Sequence, residues 1–168
     1  MKRKILPNNN QKFFNDGQMI ISKTDTTGKI IYCNRIFISL SGYSEEELLG
    51  KPHNIVRHPD MPKVVFELLW ERLKSKKEII AYVKNLSKDG SFYWVLAFVS
   101  PSFDSKGEVV GYYSMRLKPK KEAVEKIEKL YKELLIEEQK GGKGASRKKL
   151  DDYLNTKGMS YEELVLSI

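Results

Sequence analysis

The chain has 168 residues, of which 40% are hydrophobic and 11% aromatic, so it is globular rather than disordered and has room for one domain with an appendage. Its net charge of +8 comes from lysines and arginines spread along the sequence without an aromatic-interleaved nucleic-acid motif, so nucleic-acid binding is not expected. No apolar run could span a bilayer, no signal-peptide core opens the chain, and the single cysteine excludes an internal disulfide, so we expect a cytoplasmic protein without direct membrane insertion.

Two short β-prone runs, residues 19–23 and 29–33, open the pattern and are separated by turn residues that end at Gly28. They predict a pair of antiparallel strands. A short helix capped by Asn34 follows, and the Ser44-x-x-Glu47 capping box predicts a second short helix that stops at Gly50.

Residues 52–62 hold both histidines, an arginine, a carboxylate and three prolines. Because proline rings fix φ and restrict the preceding residues, the polar side chains of this stretch are held in place, which is typical of a site rather than a spacer. Asp60 is placed to cap a helix over residues 61–74, whose apolar side chains cover more than one core-facing stripe. The second covered side faces a ligand or a partner, or it packs under the short helices; both remain open.

From Glu78 onward the pattern alternates with the period of two that strands show. A turn at residues 88–90 joins a first strand to a second, and a third strand covers residues 109–117. One face of the first strand carries Ile79, Ala81, Val83 and Asn85, and one face of the second carries Phe92, Trp94, Leu96 and Phe98. Strands, short helices, one longer helix and three more strands predict an α+β domain with helices on one face of an antiparallel sheet.

After Pro119 the composition changes to a charged helix with a narrow apolar seam formed by Val124, Ile127, Tyr131 and Leu134. The seam is buried on the domain's own sheet, on a second copy or on another protein. Residues 141–146 predict a glycine-rich linker and not a phosphate loop, because the required spacing is absent. Two small helices, 147–155 and 161–167, follow, the second opened by the capping box of Ser160 and Glu163.

Few chemistries fit these residues. His53 and His58 are the only histidines and no cysteine lies near them, so a metal site is not expected, whereas haem with one axial histidine stays open. No nucleophile motif is present, so the chain is not expected to be an enzyme. If its face of the strand is buried, the Asn85 amide either bonds nearby backbone or offers a donor and an acceptor to a planar heterocycle such as a flavin. Trp94 either stacks on such a ring or belongs to the core.

Residues 34–37, 41–50 and 111–114 match the habits of a PAS domain, and residues 53–62, with 83–85 and 93–95, resemble the FAD-binding PAS domain of Aer-type aerotaxis receptors. This resemblance covers about residues 19–135. It implies a PAS fold with a five-stranded antiparallel sheet, short helices on one face and a C-terminal helical extension. The implied organisation is an N-terminal segment (1–17), a PAS sensor domain (18–118), a C-terminal helix (119–140), and a linker with a small helical tail (141–168).

Aer-type receptors also carry a membrane segment and a signalling hairpin, and neither is expected in these 168 residues. By resemblance, the sequence is therefore more similar to stand-alone PAS redox sensors. The resemblance implies non-covalent FAD, whose redox state is reported to a separate membrane-bound chemoreceptor with a HAMP region in aerotaxis or energy taxis. It also implies a cytoplasmic protein that is peripheral at the inner membrane through that receptor. A homodimer, a ligand-free PAS adaptor and a haem gas sensor remain open. The implied flavin-binding set is Asn34, Arg57, His58, Asp60, Phe66, Trp70, Asn85 and Trp94.

Overall fold

A computed structural model describes residues 4–168, so the first three residues of the predicted N-terminal segment lie outside it. Its centre is a five-stranded sheet in the order β2-β1-β5-β4-β3, in which every neighbouring pair is antiparallel. The strands are β1 (Ile20–Thr24), β2 (Ile30–Cys33), β3 (Ile79–Leu86), β4 (Phe92–Phe103) and β5 (Val109–Leu117). The predicted α+β fold with five antiparallel strands is confirmed.

The helices between β2 and β3 are α1 (Arg35–Ser41), α2 (Glu45–Leu48), a 3-10 turn (His53–Val56) and α3 (Lys63–Lys74). The caps of the first two follow from local sequence: Asn34 accepts from the Phe37 N–H, and Ser44 and Glu47 form both bonds of a capping box. These helices cover one face of the sheet, the inner face. The chain ends in α4 (Lys121–Lys157) and α5 (Tyr161–Ser167).

The start of α3 differs from the prediction. The helix begins at Lys63, Pro62 occupies the capping position without a side-chain bond, and the Lys63 N–H donates instead to Oε2 of Glu138 in α4, at 2.9 Å. Asp60 lies too far before the helix to cap it, and its carboxylate pairs with Lys84 Nζ at 2.7 Å. The predicted Asp60 cap is therefore wrong, because a distant segment supplies the acceptor.

Residues 141–146 form no flexible linker, which corrects the prediction for this segment. They are helical within α4 except at Gly142, where φ is 74° and ψ is −168°. Lys149 and Glu133 form an ion pair at 3.4 Å, although 16 residues of straight helix would separate them by about 24 Å. The chain therefore reverses at Gly142, and the two legs of α4 form a helical hairpin, here called the C-terminal hairpin. The division into domains stays a prediction.

The C-terminal hairpin covers part of the outer face of the sheet. The Tyr131 hydroxyl donates to the Tyr82 carbonyl oxygen at 2.7 Å and lies 2.6 Å from the Tyr161 hydroxyl. Its ring stacks on Trp94 at a centroid distance of 6.2 Å. Of the predicted seam, Ile127, Tyr131 and Leu134 are buried and Val124 is half-buried. The seam thus packs on the chain's own sheet, one of the three surfaces left open by the sequence.

Across residues 4–168, none of the helices combines the length and the apolar character that crossing a bilayer requires.

Candidate functional site

A cavity of about 280 Å³ lies between the inner face of the sheet and α3. Its walls are mainly apolar, with Phe66, Leu69 and Leu73 from α3 facing Val83 and Ala97 from the sheet. This volume is just below the range of roughly 300 to 1,000 Å³ that small-molecule pockets occupy. The cavity therefore suits one planar ring system, and any larger remainder of a ligand must extend through the mouth.

One end of the cavity carries a buried positive charge. Arg116 of β5 is only 2% exposed, and its guanidinium donates to Ser22 Oγ at 2.5 Å and approaches His53 Nε2 at 3.2 Å. Its Nε–H is buried without a hydrogen-bond partner, and no carboxylate among residues 4–168 forms an ion pair with it. A buried cation normally has an anionic partner, so this end of the cavity is incomplete without one.

Burial lowers the pKa of Arg116 to about 10, which leaves the group charged at neutral pH. Burial and the neighbouring Arg116 charge lower the pKa of His53 to about 3, so His53 is neutral. Because a guanidinium can only donate, His53 Nε2 accepts from Arg116 and the ring proton is assigned to Nδ1. The Arg116 end therefore offers fixed positive charge that does not titrate with His53 in the physiological range.

An amide faces the same cavity from β3. Asn85 is buried and shares the inner face with Val83, and its backbone bridges that of Arg57. The hydroxyl of Tyr93, opposite Asn85 on β4, is buried with no hydrogen-bond partner in the described part of the chain. Tyr93 does not line the cavity, whereas the Asn85 amide does and can hydrogen-bond a ligand edge, so the cavity combines a cation, an amide and apolar walls.

Four of the eight predicted site residues line this cavity together: Arg57, Phe66, Trp70 and Asn85. The Arg57 guanidinium lies 4.3 Å from the centre of the Phe66 ring. Trp70 is 36% exposed and packs edge-on against Tyr112 at 5.3 Å. These positions place Trp70 at the mouth; the flavin-binding role of all four stays a prediction.

Asn34, His58 and Asp60 do not line the cavity. Asn34 joins the start of α1 to β1, since its side chain accepts from Ile21 N–H and donates to the Met19 carbonyl oxygen. His58 is buried and its Nδ1 accepts from the Asp60 N–H at 3.0 Å. These bonds hold the polypeptide around the cavity, so the three residues support its walls from outside.

Trp94 lies on the opposite face of the sheet. Asn85 is paired with Tyr93 in the β3–β4 register, so the next residue, Trp94, points away from the cavity and packs on Tyr131. The expected apolar wall at Trp94 is therefore wrong for this cavity, and Trp94 belongs to the contact with the C-terminal hairpin.

Ser22 and Arg116 were not among the predicted site residues, and His53 was considered only as a metal or haem ligand. A signal for Arg116 exists in the alternation of residues 109–117, which puts it on the same face as the cavity-lining Tyr112 and Ser114. A charged residue on the buried face of a central strand indicates a polar site. In a lysine-rich domain, however, the sequence alone does not distinguish this charge from the many exposed ones.

Known proteins share this fold. A family model described as PAS fold matches residues 30–116. The aerotaxis receptor of Escherichia coli K12 is 41% identical over 119 residues, which make up 71% of this chain and 23% of the receptor. Among solved structures, a light-oxygen-voltage domain studied with a flavin analogue has a TM-score of 0.61 at 24% identity, covering 67% of this chain and 85% of that one. The dark structure of the blue-light photoreceptor Aureochrome1 LOV has a TM-score of 0.56 at 27% identity, covering 72% and 84%.

The fold and the cavity between sheet and helices thus define a PAS sensor domain, and the chain belongs to the PAS-fold family. Within that family its PAS domain is of the aerotaxis-receptor type. The chain spans less than a quarter of the length of the receptor that it matches.

Proposed function

We propose that the chain binds FAD in the cavity and reports its redox state, and hence cellular energy or oxygen status, to a partner protein. The observation that carries the proposal is the buried Arg116 cation, which has no carboxylate partner among residues 4–168 and stands at the end of a cavity shaped for one ring system. The edge of an isoalloxazine ring is electronegative and becomes more so on reduction, so it fits this charge. The similarity to an aerotaxis receptor and to a domain studied with a flavin analogue supports the same ligand.

Bound FAD would supply reversible storage of electrons; the protein supplies position and electrostatics. Arg116 stabilises negative charge at its end of the cavity, and the low pKa of His53 keeps that residue from adding or releasing a proton there. The Asn85 amide orients the ring edge through a donor and an acceptor. Phe66 and Trp70 exclude water from the ring faces, which strengthens these interactions. Arg57 provides a second cation, for an electronegative edge of the flavin ring.

The proposed output is contact with a separate membrane-bound chemoreceptor that carries a HAMP region, and not catalysis. The supporting observation is the similarity to the receptor's own PAS part. A homodimer is compatible with this role. The haem alternative is less well supported, because His53 Nε2 already accepts from Arg116 and His58 lies outside the cavity.

The test is the absorbance spectrum of the purified protein, followed by chromatography of the released chromophore. We expect a flavin double band and FAD, with Asn85→Ala and Arg57→Ala binding FAD about tenfold more weakly, as for loss of one bond to a buried polar group. Asn15→Ala, which removes an exposed amide, is the matched control and keeps full occupancy. A Soret band would instead identify haem. A colourless protein that takes up no added FAD would refute redox sensing and leave a ligand-free adaptor.

A further inference from the structure

The N-terminus of α3 has no cap of its own. The first N–H groups of a helix lack partners within the helix, and Pro62 offers no side-chain acceptor to them. Glu138, 75 residues further along the chain, supplies one through its bond to the Lys63 N–H. A carboxylate at this end of a helix also interacts favourably with the helix dipole. The C-terminal hairpin therefore holds the start of the helix that forms one wall of the cavity.

Glu138 also acts on a residue of the cavity itself. Burial lowers the pKa of Arg57, and the Glu138 carboxylate opposes this shift, so the two charges interact. The Arg57 guanidinium lies over the ring of Phe66 in α3 and lines the cavity. The negative charge of Glu138 thus reduces the positive potential that Arg57 projects toward a ligand.

Further along α3, three ion pairs to the same hairpin hold the helix on its side away from the cavity. Arg147 binds Glu71 at 2.9 Å and Glu67 at 3.5 Å, and Lys143 lies 3.4 Å from Glu67. Phe66 and Trp70, their neighbours in α3, face the cavity. The helix is therefore held between the ligand space and the hairpin along its length.

We propose that Glu138 is a positioning residue of the cofactor site: it fixes the start of α3 and tunes, through Arg57, how strongly the cavity favours the more negative state of its ligand. The inference rests on the proposed binding of FAD. It makes the C-terminal hairpin, which lies outside the residues matched by the family, part of the redox site. Coupling between two sites is reciprocal. A gain of negative charge in the cavity therefore attracts the same Arg57 and weakens the interaction between Arg57 and Glu138.

The experiment uses the full chain reconstituted with FAD and compares Glu138→Gln, Glu138→Ala and the wild type. Glu138→Gln keeps an oxygen that can accept from the Lys63 N–H but removes the charge, and Glu138→Ala removes both. Glu137→Gln is the matched control, because it removes the same charge from the adjacent position, where Glu137 pairs with Lys140 and with no other cation in residues 4–168. The readouts are the dissociation constant of oxidised FAD and the reduction potential measured against a reference dye.

Glu138→Gln is expected to make the reduction potential less negative, with the preference for reduced over oxidised FAD rising about fivefold, the low end of coupling between sites. Its affinity for oxidised FAD should stay near the wild-type value, whereas Glu138→Ala should also bind oxidised FAD more weakly. A potential in Glu138→Gln equal to that of Glu137→Gln would overturn the role of Glu138 and leave FAD binding intact. Failure of the wild type to bind FAD would instead refute the proposed function, and this inference with it.

Discussion

Replacing Arg116 by methionine should stabilise the protein without its ligand and weaken the protein with it. Methionine has a similar length, fills the space between Phe37 and the cavity, and carries no charge. The guanidinium that it replaces is almost wholly buried, lies 4.6 Å from the Phe37 ring centre and leaves one buried N–H unpaired. The cation is therefore retained at a cost to the empty domain, which is typical of functional groups.

The expected gain follows from two opposing contributions. Burial lowers the pKa of Arg116 from 12.5 to about 10, which corresponds to about 3 kcal/mol of unfavourable charge burial. Loss of the bonds to Ser22 and His53 offsets about 1 to 2 kcal/mol of this, since those two side chains still bond each other at 2.9 Å. The free energy of unfolding of the apoprotein should therefore rise by about 1 to 2 kcal/mol.

Urea unfolding of the apoprotein, followed by circular dichroism, measures this change, and equilibrium dialysis measures FAD binding. We expect Arg116→Met to unfold at a higher urea concentration and to bind FAD at least about tenfold more weakly. Arg35→Met, on the exposed side of α1, is the control and should leave stability within about 0.5 kcal/mol. An apoprotein that Arg116→Met destabilises would refute the reasoning, because Arg116 would then be a structural residue satisfied by its neighbours.

Three further outcomes are expected. Burial lowers the pKa of His53 to about 3 and that of His58 to about 4, so both side chains are neutral in the folded protein but protonate near pH 6.5 in the unfolded chain. Their contribution to stability is therefore complete above pH 6.5, and about 2 kcal/mol per histidine is lost by pH 5. Urea titrations at pH 7 and pH 5 would measure this loss. A stability unchanged over this range would contradict the neutral histidines. Gly142→Ala should lower the free energy of unfolding by about 1 to 3 kcal/mol, because only glycine readily adopts the φ and ψ of this position. Gly144→Ala, at a helical position with open space around it, should instead raise the free energy of unfolding. Equal effects of the two substitutions in thermal melts would argue against the chain reversal. Trp94→Phe should keep wild-type FAD occupancy in dialysis, and a loss of FAD would place Trp94 at the ligand after all.

Local sequence patterns predicted the elements whose determinants lie within a few residues. The alternation over residues 79–98 and the capping boxes at Ser44 and Ser160 each specify structure without distant contacts, and all are present. The start of α3 could not be found this way, because its acceptor, Glu138, arrives from another helix. The segment around Gly142 was predicted as a linker from its glycines, yet Arg147 and Lys143 anchor it to α3.

The cofactor site shows the same division. Resemblance to a family predicted Arg57 and Asn85 for one site, and both line the same cavity, but it could not assign each residue to a face of the sheet. The strand register does so: it pairs Asn85 with Tyr93 and thereby sends Trp94 to the opposite side. Arg116 was not predicted because the sequence of a basic chain does not distinguish a buried positive charge from the exposed ones. Only the packing of β5 against the helices shows that Arg116 is buried.

The positions of the two tryptophans give the molecule a pair of built-in optical reporters. Trp70 stands at the mouth of the cavity, while Trp94 lies beneath Tyr131 on the other side of the sheet, and the chain has no third tryptophan. A ring system bound in the cavity would quench the emission of Trp70, whereas exposure of Trp94 to water would shift its emission to longer wavelength. Two single-tryptophan variants would therefore report separately on filling of the cavity and on departure of the C-terminal hairpin, without any added label.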